Sequence, residues 1–196
     1  MIALPSCSST ILLYNNVVLT SIQKDVLVGT LLGDACMERD KPTHNSRVRF
    51  DQTYPNHEEY LLSLYEIFKD FTGTPPKIQE RKPDKRTNKI YKTIAFKSLR
   101  YSMLNYYYDL YYKYDENNKR YKSVPINIKE LLNARALASW IMVDGSIESY
   151  GSTQLHTDKF SFNELKLLQE TLSIKFNLRT RLIKKTTRTM SDSNSH

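Results

Sequence analysis

Two stretches of this chain repeat one layout, and they decide its fold. Residues 27–35 read LVGTLLGDA, and residues 137–145 read LASWIMVDG. When the two are aligned, Asp34 matches Asp144, and each aspartate is followed by a small residue. Both stretches carry apolar residues at helical spacing. A repeat of this kind predicts two related units, each built around one helix that ends at its aspartate.

The small residues of these helices predict that the two helices pack against each other. The first helix begins after a cap at Thr20 or Ser21 and runs through Ala35. Glycine inside a helix costs about 1 kcal/mol relative to alanine, so two glycines four positions apart suggest that another backbone approaches closely there. The predicted helix interface consists of Gly29, Gly33, Ser139 and Val143.

The first half of the chain, residues 21–114, is predicted to have the element order αββαββα. After Asp34, a turn-rich stretch at 39–46 leads into an alternating strand at 47–53, which indicates a hairpin. The remaining predicted elements are an amphipathic helix from Pro55 to Phe71, a second hairpin formed by 77–81 and 90–97, and a helix from about Leu99 to Tyr112.

The second half, residues 133–185, repeats only part of this order. A short hairpin over 147–157, a helix from Ser161 to Phe176 and a third strand over 179–184 are predicted. Residues 186–196 form a polar tail without a strand or helix pattern, so this half is expected to be truncated at its C-terminus. Residues 115–132 are predicted to be the linker and residues 1–20 a poorly ordered extension. The predicted fold class is α+β.

Composition favours a soluble globular protein with a polyanionic partner. Lys and Arg number 29 against 21 Asp and Glu, which gives a net charge of +8, and the mean hydropathy is −0.54. Basic side chains that neutralise phosphates release condensed counterions, although a merely basic surface is an equal alternative. Two cysteines, Cys7 and Cys36, are too few for a disulfide framework. His44-Asn45 suggests a nuclease of the His-Asn-His type, but no second histidine follows at workable spacing.

Two aspartates at the ends of packed helices predict a metal site. Carboxylates held close together repel each other, and one must take up a proton unless a cation lies between them. Oxygen ligands of this kind suit Mg²⁺, or another divalent cation such as Mn²⁺, which binds one or two carboxylates plus substrate phosphate. Such a site can hydrolyse a phosphodiester. The alternative is that Asp34 and Asp144 merely end their helices in solvent.

The two stretches resemble the signature helices of the LAGLIDADG homing endonucleases, of the single-chain kind with two motifs. The resemblance extends from about Ser21 to Lys184. It implies two αββαββα halves related by a pseudo-twofold axis, each with a sheet that lies over the major groove of double-stranded DNA. It also implies that Asp34 and Asp144 bind divalent metal and that each half cleaves one DNA strand at a long specific site, with the chain acting as a monomer.

The resemblance also implies supporting residues. Gln52 looks like the polar residue beside the metal-bound water, although a base or backbone contact is an alternative role. Lys97 looks like the basic residue that stabilises transition-state charge, with a phosphate contact or a plain surface lysine as the alternatives. DNA contacts are expected along the sheet and at its loop tip, where phosphate contacts outnumber base contacts. The predicted set is Arg47, Arg49, Arg81, Lys82, Lys85, Arg86, Lys89 and Lys92.

The sequence departs from the family pattern at two positions and in the length of its second half. Val143 stands where a small residue is expected, so the helices should lie slightly farther apart at that end. Asp158 stands where a glutamine is expected, and it could bind metal, repel phosphate or have no role. Relatives complete the second half with another strand, a helix and a second basic residue, for which this sequence offers no counterpart.

Two rival functions remain on sequence grounds. An RNA maturase would keep the same fold and bind host intron RNA without cleaving DNA. An inactive remnant would result if the shortened second half removed function. The abundance of Tyr, Lys, Asn and Ile is a bias of AT-rich genomes and favours an organellar origin, in the mitochondrion with the chloroplast as alternative.

Overall fold

The computed structural model describes residues 18–148 and 151–183. The first half contains helix α1 (Ser21–Leu32), strands β1 (Cys36–Glu38) and β2 (Arg47–Tyr54), helix α2 (Glu58–Phe68), strands β3 (Lys77–Glu80) and β4 (Lys92–Lys97), and helix α3 (Met103–Tyr111). A single 3-10 turn (Lys69–Phe71) follows α2. The predicted order αββαββα is therefore present in the first half.

Capping side chains fix where the signature helices begin. Thr20 caps α1 through a capping box with Gln23, which decides between the two caps that the sequence allowed. Asn133 caps the second signature helix, α5 (Ala134–Asp144), by accepting a hydrogen bond from the amide of Ala136. The Gly33 amide at the end of α1 donates to the Thr30 carbonyl, so the chain leaves the helix just before Asp34.

A four-stranded antiparallel sheet in the order β1-β2-β4-β3 forms the frame of the first half. One face carries apolar side chains that helix α2 covers. The Phe50 ring lies 5.1 Å from that of Phe68 and 4.9 Å from that of Phe96, measured between centroids. The other face carries polar and basic side chains, because residues alternate between the two faces along each strand. The sheet therefore presents one polar face outward.

Two predicted elements of the first half differ in the structure. Helix α3 begins at Met103, four positions later than predicted, because Ser98 and Tyr101 form isolated β-bridges with Thr72 and Ser46. Strands β5 (Tyr112–Tyr114) and β6 (Arg120–Lys122) form a two-stranded hairpin, which overlaps the start of the predicted linker at 115–132. Asn118, with φ 58°, lies in its turn, a conformation that asparagine tolerates. A short helix α4 (Ile128–Leu131) then leads to α5.

The second half contains a hairpin of β7 (Gly145–Ile147) and β8 (Thr153–Leu155), followed by helix α6 (Phe162–Phe176). The predicted third strand at 179–184 is wrong for the part that is described, since residues 179–183 have no regular secondary structure. Residue 184, the predicted tail at 186–196 and the predicted extension up to residue 17 lie outside the described residues. Within the described ranges, no helix is long and apolar enough to cross a membrane.

Candidate metal and nucleic-acid site

The site is built on the contact between α1 and α5, where the backbones approach closely. A Cβ atom placed on Gly29 would overlap the carbonyl oxygen of Ala136 and would lie 2.9 Å from the Cβ of Ser139. The Ser139 hydroxyl donates to the Arg135 carbonyl within its own helix at 2.9 Å. Only glycine fits at position 29, because any larger side chain would push the two helices apart.

Val143 fits between the helix ends in a way that the sequence did not predict. A Cβ on Gly33 would overlap the Cγ2 methyl group of Val143 and would lie 3.5 Å from the Cβ of Asp144. The valine methyl group thus fills the space that the absent side chain of Gly33 leaves. The expectation that Val143 separates the helices is replaced by this close fit, which keeps both aspartates at one end of the helix pair.

Asp34 and Asp144 lie in unequal surroundings. Asp34 is exposed, whereas only 10% of the Asp144 side chain is exposed. Burial raises the pKa of the Asp144 carboxyl above its ordinary value, and the charge of Asp34 adds to the rise, while the Lys159 ammonium opposes it. Asp34 is therefore the solvent-accessible carboxylate, and Asp144 is the one that gains most from a nearby cation.

Lys122, which the sequence analysis did not select, reaches this point from strand β6. Its Nζ atom donates to the Gly33 carbonyl at 2.8 Å and to the Ala35 carbonyl at 2.6 Å. These two carbonyl groups flank Asp34 in the chain. Burial lowers the pKa of the Lys122 ammonium to about 7, and the positive charge of Lys159 contributes to the same shift.

Lys159, also missed by the sequence analysis, approaches from the second half. Its Nζ atom donates to the Gly33 carbonyl at 2.8 Å and lies 3.7 Å from Asp144 Oδ2. One carbonyl oxygen therefore receives hydrogen bonds from two lysines, one of which also lies near Asp144. No pattern around Lys122 or Lys159 indicates this placement in the sequence, since the hydrogen bonds to Gly33 join residues 89 and 126 positions apart.

The donor set fits a hard divalent cation. Carboxylate and carbonyl oxygens are the ligands that Mg²⁺ takes in proteins. Asp144 Oδ2 is buried without a hydrogen bond of ordinary geometry among the described residues, although the indole N–H of Trp140 approaches the same carboxyl. Residues 18–148 and 151–183 hold no cluster of three or more His, Cys, Asp or Glu side chains placed for a metal. A bound ion would therefore complete its coordination with water or substrate phosphate.

Gln52 lines the same opening as Asp34. The two residues border a cavity of about 500 Å³ together with Arg49, Asp51 and Thr93. Gln52 pairs with Ile94 in the sheet register, so its side chain lies on the apolar face of the sheet. Gln52 is 9% exposed.

Tyr60 is a further neighbour of Asp34 that the sequence analysis missed. Its hydroxyl is buried without a hydrogen bond among the described residues, and burial and the charge of Asp34 both raise its pKa.

Lys97 has a different partner from the one that its predicted role requires. Its Nζ atom lies 3.0 and 3.2 Å from the two carboxylate oxygens of Glu38. Arg47 binds the same carboxylate at 2.6 Å. Burial alone would raise the pKa of the Glu38 carboxyl, but hydrogen bonds from Lys97 and Arg47 lower it below its ordinary value. Lys97 therefore lies within an ion-pair cluster on the polar face of the sheet.

The polar face of the sheet displays two of the predicted DNA-contacting residues, Arg47 and Arg49. Arg49 pairs with both Cys36 and Lys97 across the strands, which places the three side chains on one face. Asp51 on the same face binds Arg49 and lies 3.5 Å from Arg81. Lys92 starts on the opposite face of the sheet, since it pairs with Tyr54 in the register. Its Nζ atom forms an ion pair of 3.3 Å with Glu80.

The loop between β3 and β4 carries the remaining basic residues. Asp84 orders its turn by accepting hydrogen bonds from the amides of Arg86 and Thr87 at 3.0 and 2.8 Å. Asn88 adopts a positive φ of 53° in the same turn. The side chains around this turn project into solvent, and the exposed basic residues are Arg81, Lys82, Lys85, Arg86 and Lys89.

Comparisons with known proteins show which family the sequence resembles. The sequence profile of the LAGLIDADG DNA endonuclease family matches residues 24–194. The chain is 32% identical over 173 residues to the DNA endonuclease I-ChuI of Chlamydomonas applanata, covering 86% of this chain and 79% of that protein. It is 34% identical over 163 residues to the cytochrome b mRNA maturase bI2 of Debaryomyces hansenii, covering 82% of this chain and 59% of that protein.

A solved structure supports the fold. The homing endonuclease I-WcaI bound to its DNA recognition sequence matches with a TM-score of 0.73 and 24% sequence identity, covering 90% of this chain and 78% of that one. The predicted α+β fold of the homing endonucleases is confirmed by this likeness. Together with the profile match, it shows that the chain is a member of the LAGLIDADG DNA endonuclease family.

Proposed function

We propose that this chain is a site-specific endonuclease that hydrolyses one phosphodiester bond in each strand of double-stranded DNA with a divalent metal ion. The observation that carries the proposal is the convergence of Asp34 and Asp144 with two ammonium groups at the carbonyl of Gly33. Negative ligands for a cation and positive groups for a phosphate lie together, next to a polar face that suits DNA. Few structural roles require that combination.

The two aspartates hold the metal in this proposal. A bound Mg²⁺ or Mn²⁺ ion supplies an activated water and polarises the phosphate. Lys122 and Lys159 exchange their carbonyl partners for phosphate oxygens and stabilise the charge that develops during hydrolysis. Gln52 orients water at the rim of the cavity beside Asp34. Lys97 competes with Lys122 for the role of charge stabiliser, and its ion pair with Glu38 argues for the weaker contribution.

Double-stranded DNA lies over the polar face of the sheet in this proposal, with the chain acting as a monomer. Arg47 and Arg49 then face the bases, and the loop around Asp84 reaches the phosphate backbone. Half to two-thirds of protein–DNA hydrogen bonds go to phosphate and sugar, so the exposed loop residues contribute affinity and the strand residues contribute sequence recognition.

The aspartates provide the direct test. Asp34→Asn and Asp144→Asn keep the shape of each side chain but remove the charge that binds metal. Each change should lower cleavage of DNA spanning the intron insertion site by at least about 100-fold. Binding of the same DNA, measured by gel shift without metal, should stay within about 3-fold because the contacts of the sheet remain.

Asp109→Asn is the matched control, since Asp109 is an exposed carboxylate that pairs with Arg39 away from the helix ends. It should cleave as the unaltered chain does. Equal loss of binding and cleavage in the two aspartate variants would mean that Asp34 and Asp144 serve the fold and not the reaction. Cleavage that persists in EDTA would exclude the metal.

A maturase role is the second candidate, and the 34% identity to a cytochrome b mRNA maturase favours it. The same purified chain should be tested for Mg²⁺-dependent DNA cleavage and for splicing of its host intron RNA. Splicing without cleavage would replace the endonuclease proposal with the maturase. The name of that relative also supports an organellar, mitochondrial origin for the chain.

A further inference from the structure

The outer edge of strand β1 presents a row of backbone groups next to the aspartate site. Strand β1 lies at the edge of the four-stranded sheet and pairs with β2 on one side only. The carbonyl group of Met37 lies on this edge, those of Ala35 and Gly33 precede the strand at alternate positions, and all three accept hydrogen bonds from side chains. Unpaired edges of this kind must be covered or solvated, so the element that covers this one also borders the site.

The β5–β6 hairpin covers that edge with three side chains. The Tyr112 hydroxyl accepts a hydrogen bond of 2.9 Å from the Met37 amide, and Arg120 Nη1 donates to the Met37 carbonyl at 3.0 Å. Lys122 then donates to the next two carbonyl groups of the row, at Ala35 and Gly33. Arg120 and Lys122 stand two positions apart on β6, so they point to the same face and match the spacing of the carbonyl groups.

Arg120 is held more firmly than an ordinary surface arginine. Its guanidinium carbon lies 4.7 Å from the ring centroid of Tyr112 and 5.8 Å from that of Tyr108. The two rings stack on each other with centroids 5.0 Å apart. Stacking on aromatic faces fixes a planar guanidinium. Lys122, by contrast, has a flexible stem, and its position depends on where strand β6 lies.

We propose that Arg120 is a positioning residue for the reaction: by fixing β6 to the Met37 carbonyl, it sets the distance at which Lys122 meets the carbonyl groups on either side of Asp34. This inference rests on the proposed function for its effect on cleavage. Arg120 itself touches neither aspartate. Its role is to hold β6 against β1, because the two strands belong to different sheets and meet only through side-chain hydrogen bonds.

The test compares Arg120→Met, which keeps an unbranched side chain but loses the hydrogen bond to Met37, with Arg120→Lys, which restores a donor. Arg120→Met should reduce the single-turnover cleavage rate about 10- to 100-fold, as small misplacements of reacting groups do, while the Kd for DNA stays within about 3-fold. Arg120→Lys should recover part of the rate with little change in Kd.

Arg39→Met is the control for a variant that loses stability without any displacement of Lys122. Arg39 lies over the ring of the same Tyr108, at 4.3 Å, and its hydrogen bonds go to Asp109, Ser46 and Asn105, all of which lie outside strand β6. It should lower the thermal midpoint at least as much as Arg120→Met and leave the cleavage rate within about 3-fold. Equal rate losses in Arg39→Met and Arg120→Met would overturn the positioning role.

A measurement without DNA separates this inference from the proposed function. At a pH below its lowered pKa of about 7, the Lys122 ammonium, shielded by two carbonyl groups, should give a slowly exchanging resonance in nitrogen-15 NMR, identified by its absence in Lys122→Met. That resonance should shift or broaden in Arg120→Met and stay in place in Arg39→Met. An unchanged resonance in Arg120→Met would overturn the inference, whether or not the chain cleaves DNA. A chain that shows the shift but cleaves no DNA would leave Arg120 as the determinant of Lys122 position and refute the endonuclease.

Discussion

Lys122 makes the tightest contacts of any basic group at the aspartate site, with both its hydrogen bonds directed to the chain segment that holds Asp34. These hydrogen bonds hold the Lys122 Nζ atom beside Asp34, and a phosphate oxygen would have to replace only an uncharged carbonyl partner. Lys97 is paired with the carboxylate of Glu38 and must leave that partner to act. We therefore expect Lys122 to stabilise the charge that develops on the phosphate more than Lys97 does.

Replacing each lysine by methionine should distinguish them. Lys122→Met is expected to lower the single-turnover cleavage rate by about 100-fold or more, because a preorganised donor to the developing charge is lost. Lys97→Met is expected to lower it by less than about 10-fold. Plasmid cleavage under enzyme excess measures both. The reverse order of effects would assign the charge-stabilising role to Lys97, as the sequence alone predicts.

The sequence identifies the aspartates of this site but not the residues around them. Asp34 and Asp144 can be predicted because each ends a repeated helix, and a repeat is visible along the chain. Lys122, Lys159 and Tyr60 come to the site from three other elements through tertiary packing alone. No local pattern distinguishes Lys122 and Lys159 from solvated residues, since a short strand or a loop in a charged segment has little hydrophobic periodicity. Tyr60 lies on the amphipathic helix α2, and its periodicity does not indicate that it lies near Asp34.

The contact between α1 and α5 is the element on which the whole site depends, and Gly29 is its most sensitive position. Gly29→Ala should destabilise the chain by about 1–3 kcal/mol despite the better helix propensity of alanine, because the new methyl group meets the Ala136 backbone. Urea unfolding measures the difference. Gly73→Ala is the control, since its Cβ would meet only the flexible end of Leu99, at 3.0 Å. A Gly29→Ala variant as stable as the Gly73→Ala variant would contradict the close approach.

Elements with strong caps and long periodicity are predicted best. Helix α6 starts after Ser161 as its capping box with Glu164 indicates. The β5–β6 hairpin was missed because its strands are three residues long and its charged composition is that of a linker. The opposite error occurs at residues 179–183, where a strand is predicted and none is present. The place of residues 179–184 after a helix in the repeated order suggests a strand, but pairing with a neighbour decides whether one forms.

At the scale of the molecule, the net charge of +8 favours DNA binding, and we expect the basic residues of the exposed loop around Asp84 to contribute much of this attraction. Replacing Lys85, Arg86 and Lys89 together with alanine should weaken specific and non-specific DNA binding by similar factors. The slope of log Kd against log salt should fall by about 3 at most, since each phosphate contact contributes about 0.9. Fluorescence anisotropy over a salt series measures the slope. A larger loss for the specific site than for random DNA would mean that this loop reads bases.

The fit of Val143 against Gly33 has a consequence for how the two halves recognise each other. These residues hold equivalent positions, one before each aspartate, and the methyl group of one occupies the space left by the other. Two first halves facing each other would leave a methyl-sized gap there, and two second halves would force two valines into one volume. Each half is therefore a poor partner for its own copy and a good partner for the other, which directs assembly within one chain.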